Sequence, residues 1–165
     1  MSIWLIFNDF PDIGTATSYI TIQQFSIPNL LNFLCTGGKI VTKYGTNPYT
    51  MDLCEVDGGG KPVGGSTGPY LARQTFNGDD VAPTWREWTW PAPVILTKST
   101  QYCLRCNLAS SRRWYLGTPG GVIGNAFYWS GVDWPSLGDL TIGIKGDYIA
   151  PPCGAGIMGL LKPPI

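Results

Sequence analysis

Trp85-Arg86-Glu87-Trp88-Thr89-Trp90, then Pro91-Ala92-Pro93, then Tyr102-Cys103-Leu104-Arg105-Cys106, is the stretch that decides the fold class. In an extended chain successive side chains point to opposite faces, so Trp88 and Trp90 share one face while Glu87 and Thr89 share the other. Tyr102, Leu104 and Cys106 likewise share a face opposite Cys103 and Arg105. Two such strands with a proline-braked loop between them predict a hairpin whose aromatic face lines a sandwich core. Nothing in it is catalytic.

The flanking sequence repeats the theme in shorter pieces. Residues 18–25 alternate with β-branched positions, and an apolar run over 28–33 is expected to end at Gly37-Gly38. Residues 39–45 read as a strand closed by the turn Gly45-Thr46-Asn47-Pro48, and 49–56 as a strand with Tyr49, Met51 and Leu53 on one side. Asp57-Gly58-Gly59-Gly60-Lys61-Pro62 turns the chain, and a further strand is expected over 70–76. Downstream, 112–116 and 126–129 are short strands, residues 131–134 a tight turn, and 139–146 a last strand with Leu140, Ile142 and Ile144 on one face. No window of helical length carries a 3.6-residue apolar stripe. Many short strands punctuated by Gly and Pro imply an all-β, antiparallel β-sandwich of Greek-key or jelly-roll type.

At 165 residues the chain needs only one domain, and its size permits a core without disulfides or metal. Only 13% of residues are charged, against roughly 25% in an ordinary soluble domain. A surface so poor in charge suits a subunit whose faces are covered by other subunits. The alternative is a monomer with a neutral polar surface, and composition does not choose between them. With 11 basic and 11 acidic residues and no basic run longer than Arg112-Arg113, there is no electrostatic footprint for nucleic acid. The opening residues 1–7 are apolar but lack a charged leader region, and Asn8-Asp9-Phe10-Pro11 interrupts them well short of a membrane span. If Met1 is the native start, synthesis in a cytoplasm without export is the expectation.

There is no His, which removes Ser-His and Cys-His nucleophile pairs, and no two carboxylates are spaced as glycoside hydrolysis requires. The chain is therefore expected not to be an enzyme. Cys103 and Cys106 have the CxxC spacing, but in a strand their thiols point to opposite faces, which suits neither a redox turn nor a zinc knuckle. Cys35, Cys54 and Cys153 stand singly, so all five cysteines read as free or buried thiols, with Cys153 the one placed to bond between subunits. The Gly-rich loops lack the lysine and helix of a phosphate cradle, and Asp52, Asp57, Asp79 and Asp80 lack calcium-ligand spacing. No cofactor and no metal are expected.

One distributed pattern goes further. Gln24-Phe25, Gly45-Thr46-Asn47-Pro48, Asp57-Gly58-Gly59-Gly60-Lys61-Pro62-Val63-Gly64, and Trp85 with Glu87-Trp88-Thr89-Trp90 form its first half. Pro93, Leu96, Thr100, Tyr102, Trp129, Gly131, Trp134, Asp139-Leu140 and Gly146 complete it. Over about residues 20–146 this resembles a jelly-roll family of phage and archaeal virion proteins and of microbial surface modules, akin to carbohydrate-binding jelly rolls. The resemblance implies a module for attachment or decoration on a particle or cell surface. The departures are that family members are usually modules of longer, often exported chains, and that this chain carries a Pro/Gly-rich apolar tail.

Three segments are therefore expected: an N-terminal arm or edge strand over 1–17, a jelly-roll sandwich over 18–146, and a C-terminal arm over 147–165. In the tail, Ile157, Met158, Leu160, Leu161 and Ile165 are too apolar for a solvated segment, while proline and glycine forbid a long helix. The tail, with residues 3–7, reads as an arm lying across a neighbouring subunit, or else as packing back on its own sandwich. Of the seven Trp and eight Tyr, Trp88, Trp90 and Tyr102 belong to the core, because large inward aromatics fill the roughly 10 Å between two sheets. Trp114, Tyr115, Trp129 and Trp134, near Arg112, Arg113, Asn125 and Asp133, are candidates for a glycan platform; packing beneath loops is their competing role. The expected function is a virion subunit assembled in a host cytoplasm, a capsid decoration or minor structural protein binding coat subunits or copies of itself. A carbohydrate-binding module for host or substrate attachment is the alternative.

Overall fold

The computed structural model describes residues 2–8, 11–15, 20–28, 31–43, 48–77, 84–107, 113–117, 125–138 and 140–150. Among them the chain is built from strands, with a single 3-10 turn at Gly65–Thr67. The strands are β1 (Ile3–Asn8), β2 (Pro11–Thr15), β3 (Ile20–Ser26), β4 (Phe33–Lys43), β5 (Tyr49–Glu55) and β6 (Ala72–Phe76). They continue as β7 (Thr84–Leu96), β8 (Gln101–Asn107), β9 (Arg113–Gly117), β10 (Ala126–Tyr128), β11 (Ser136–Leu137) and β12 (Ile142–Tyr148).

All pairings are antiparallel, and they nest. β5 pairs β6, β4 pairs β7, β3 pairs β8 and β1 pairs β12, which is one long hairpin rolled around itself. Rolling places β1-β12-β4-β7 in a first sheet and β3-β8-β5-β6 in a second, the connectivity of a jelly roll. β9 and β2 extend the first sheet beside β4, and β10 and β11 extend the second beside β3. The rolled hairpin has its tip in the Gly-rich segment between β5 and β6.

The core fills the space between the sheets. Phe33, Ile40, Trp88, Trp90, Leu96, Ile142 and Ile144 come from the first sheet and Phe25, Met51, Leu53, Tyr102, Leu104 and Cys106 from the second. Trp88 meets Trp90 edge-on at 5.5 Å and Phe76 at 5.5 Å, so the aromatics of the deciding stretch are core residues as expected. Trp90 donates its indole N–H to Cys35 Sγ at 3.3 Å.

Three expectations need correction. The stretches 85–90 and 102–106 are not a hairpin: β7 lies in the first sheet and β8 in the second, and their apolar faces meet across the core. Pro91-Ala92-Pro93 is not a loop either. Val94 pairs Cys35 and Thr89 pairs Gly37, so residues 90–93 form a bulge opposite Thr36, with Trp90 turned into the core and Pro91–Pro93 exposed, while β7 continues to Leu96. Proline lacks an N–H for the ladder and is accommodated in such a bulge, here on a strand whose one partner among the described residues is β4. Gly37-Gly38 does not end a strand but lies within β4; a Cβ on Gly37 would overlap the Trp88 carbonyl oxygen, and one on Gly38 would press on the Trp88 ring.

At the ends, residues 3–8 form no arm but the edge strand β1, with Trp4 opposite Lys145 and Leu5 opposite Ile144. The last strand runs two residues past 146, and the Ile149 N–H then donates to Asn32 O at 2.8 Å. Ile157, Met158, Leu160, Leu161 and Ile165 lie outside the described residues.

Candidate functional site

Of the four residues read as a glycan platform, the structure brings two together. Trp114, in β9, is wholly buried in the core and donates its indole N–H to Thr141 O at 2.7 Å, so neither ring face is open to a sugar. Tyr115 pairs Thr15 through the backbone, and its side chain lies outside the described residues, as does Arg112. Trp129 and Trp134 are half-buried neighbours with ring centroids 5.2 Å apart and planes inclined at 51°. Two rings so inclined share no flat surface. Trp134 also packs, with Phe127 and Val56, on a small second core of Ile22, Cys54 and Cys103 on the outer face of the second sheet.

The rest of that outer face carries charge turned to structural use. Asp52, Arg73 and Arg105 lie side by side on β5, β6 and β8. Asp52 accepts from Arg73 at 2.5 and 2.7 Å and from Arg105 at 2.9 and 3.1 Å. The pairing with Asp52 raises the pKa of Arg73. Arg105 also donates to Gly65 O at 2.8 Å and Gly68 O at 2.7 Å, clamping the loop that follows Gly64 and Gly65, both at φ 73°. Two guanidinium groups on one carboxylate are opposite in sign to a calcium site, the role weighed for Asp52 in the sequence. Gln24 donates to Gly60 O and accepts from the Asn125 N–H at 2.9 Å, pinning two more loops. Lys61 sits over the Phe127 ring; burial lowers its pKa, against the opposing pull of Asp133 and Asp57. Among the described residues no three Cys, Asp or Glu side chains gather closely enough to hold a metal ion, and no helix is long and apolar enough to cross a membrane.

The outer face of the first sheet is built differently. Gly38, Ile40, Trp88 and Ile144 face the core, so Lys39, Trp85, Glu87 and Lys145 face outward, with Trp4 beside them on β1. Lys39 Nζ lies 4.9 Å from the Trp4 ring centroid and 4.4 Å from that of Trp85; Lys145 Nζ lies 5.6 Å from Trp4. Gly143 makes this arrangement fit, because the stem of Lys39 crosses it where a Cβ would come within 2.9 Å of Lys39 Cγ. Both indoles and both lysines are half-buried, Glu87 and Thr89 are exposed, and Ile95 on the same strand is 61% exposed. Among the described residues no loop clamp of the Arg105 kind covers them. The sequence reading left residues 1–17 as an arm or an edge strand and named no cluster here, although the alternation that puts Trp88 inward already puts Trp85 outward.

Fold and site together define a jelly-roll module whose accessible chemistry is an aromatic and basic sheet face. No protein-family model and no curated protein sequence matches the chain.

Proposed function

We propose that the chain is a non-enzymatic structural or interaction subunit of a virus particle, a phage-like capsid decoration or minor structural protein that binds neighbouring coat subunits or copies of itself. The observation that carries this reading is the contrast between the two outer faces. The second sheet is overlaid by its own loops, whereas the first leaves Ile95 exposed and Trp4 and Trp85 half-buried beside it. Large aromatics anchor protein interfaces because they bury much area at little conformational cost. A body with only 13% charged residues fits the same role, since it has little charge with which to repel a neighbour. Burial of this face on each of many copies would stabilise a particle passively.

The alternative, a carbohydrate-binding module, rests on the half-buried Trp129 and Trp134 beside exposed Ser130 and Asp133. One experiment separates the two: size-exclusion chromatography with light scattering on the intact chain, on Trp85→Ala and on a chain ending at residue 150. Concentration-dependent oligomers that Trp85→Ala or the truncation weakens are the expected result. A monomer indifferent to both changes, whose melting temperature rises with a glycan, overturns the assembly reading in favour of the alternative.

A further inference from the structure

Cys54 on β5 and Cys103 on β8 are directly opposite in the ladder between two interior strands of the second sheet. Both are free thiols and both are buried. Their side chains point away from the main core into the small cluster completed by Ile22 and covered by Val56, Phe127 and Trp134. Directly opposite residues have their Cβ atoms about 4.5–5.5 Å apart, close to the separation a disulfide spans. The neighbouring Cys54 thiol, together with burial, holds the Cys103 thiol well above its ordinary pKa. Cys106, three residues on, faces the main core and cannot compete.

From this juxtaposition we infer that Cys54 and Cys103 are an oxidation site, joined by a peroxide or by a small disulfide into a cross-strand disulfide between β5 and β8. With hydrogen peroxide, one thiol gives up its proton as its sulfur attacks a peroxide oxygen; the O–O bond breaks, the departing hydroxide takes that proton and leaves as water, and a sulfenic acid forms. The second sulfur then attacks the first, the S–O bond breaks, and the hydroxyl leaves with the remaining thiol proton as a second water. Two sulfurs give up two electrons and the peroxide accepts them. With oxidised glutathione the same bond forms by exchange, releasing two glutathione thiols. The link would close a long loop and tie two interior strands of the sheet, beneath Trp134.

The test uses the full chain in two treatments: the folded protein exposed to hydrogen peroxide, and the reduced, denatured protein refolded in a glutathione redox buffer, which does not depend on access through the Trp134 cover. Free thiols are then alkylated and the protein is digested with trypsin, which cuts at Arg105 and so separates Cys103 from Cys106. The expected result is peptide 44–73, uncut at Lys61-Pro62, linked to peptide 99–105, on a chain of monomeric mobility. It should be absent from Cys54→Ser and Cys103→Ser and reversed by reductant, and its formation should raise the melting temperature by about 5 °C or more. Alkylation of both cysteines after both treatments, or linkage of either to another cysteine or another chain, overturns the inference.

Discussion

Arg105 is 1% exposed, and its guanidinium meets Asp52, Gly65 O and Gly68 O. Removing it leaves a buried carboxylate and two loop carbonyls short of a donor, a loss of about 3–5 kcal/mol for a broken buried pair. Arg105→Met should therefore lower the urea midpoint by that equivalent and open residues 57–71 to protease. The Arg73 side chain is 40% exposed, and Arg73→Met should cost about 1 kcal/mol or less, because water replaces much of what it loses. Equal effects from the two variants would refute the clamp. Cys35 makes a second residue-scale claim. Burial lifts its thiol from 9.0 to about 11, against the opposing hydrogen bonds with Trp90 and Gly37. Between these values the unfolded chain has lost a proton that the folded chain keeps, so stability present below pH 9 falls as pH rises toward 11. The fall is about 2–3 kcal/mol from this group. Denaturation curves across that range should show a shallower decline for Cys35→Ala than for the parent chain.

At the scale of elements, what the sequence made legible was which face each residue takes. Alternation assigned Trp88, Trp90, Tyr102 and Leu104 inward, and all four are core. What it could not give was the neighbour, because a period of two is the same whether an apolar face meets an adjacent strand or the opposite sheet. Hence β7 and β8 read as a hairpin when they face each other across the core. Gly37-Gly38 and Pro91–Pro93 misled for a related reason. Each reads as a breaker alone, yet the bulge of β7 brings the Trp88 carbonyl over Gly37, and the glycine permits what the prolines impose. The candidate site was half legible: Trp129 and Trp134 do meet, but Trp114 is core, and Lys39 between Trp4 and Trp85 depends on pairing of strands far apart in sequence. Gly37→Ala, though a single methyl, drives a Cβ into backbone and should destabilise by about 3 kcal/mol or more, at the upper end of overpacking. Thermal melts of this variant against Gly58→Ala, where a Cβ meets nothing, would expose an error in the bulge register if the two behaved alike.

For the whole molecule, the question is which force would join one copy to its neighbours. Net charge is zero, and Arg73 and Arg105 are engaged within the chain, so long-range attraction has little to act on. On the first sheet Lys39 is held between two indoles, which places its stem and both rings at the surface as one mostly apolar relief. Association through that relief should behave as burial of apolar area. Sodium chloride raised from 0.05 to about 0.5 M should leave the association constant within roughly threefold, since screening weakens only charge pairs that remain exposed. Sodium sulfate at equal ionic strength should strengthen association, because excluded salts favour burial of apolar surface. Sedimentation equilibrium in the two salts reads both effects. A tenfold weakening in chloride would mean that Lys39 and Lys145 reach carboxylates on the neighbour, and the first sheet would then act as a charged dock and not an apolar one.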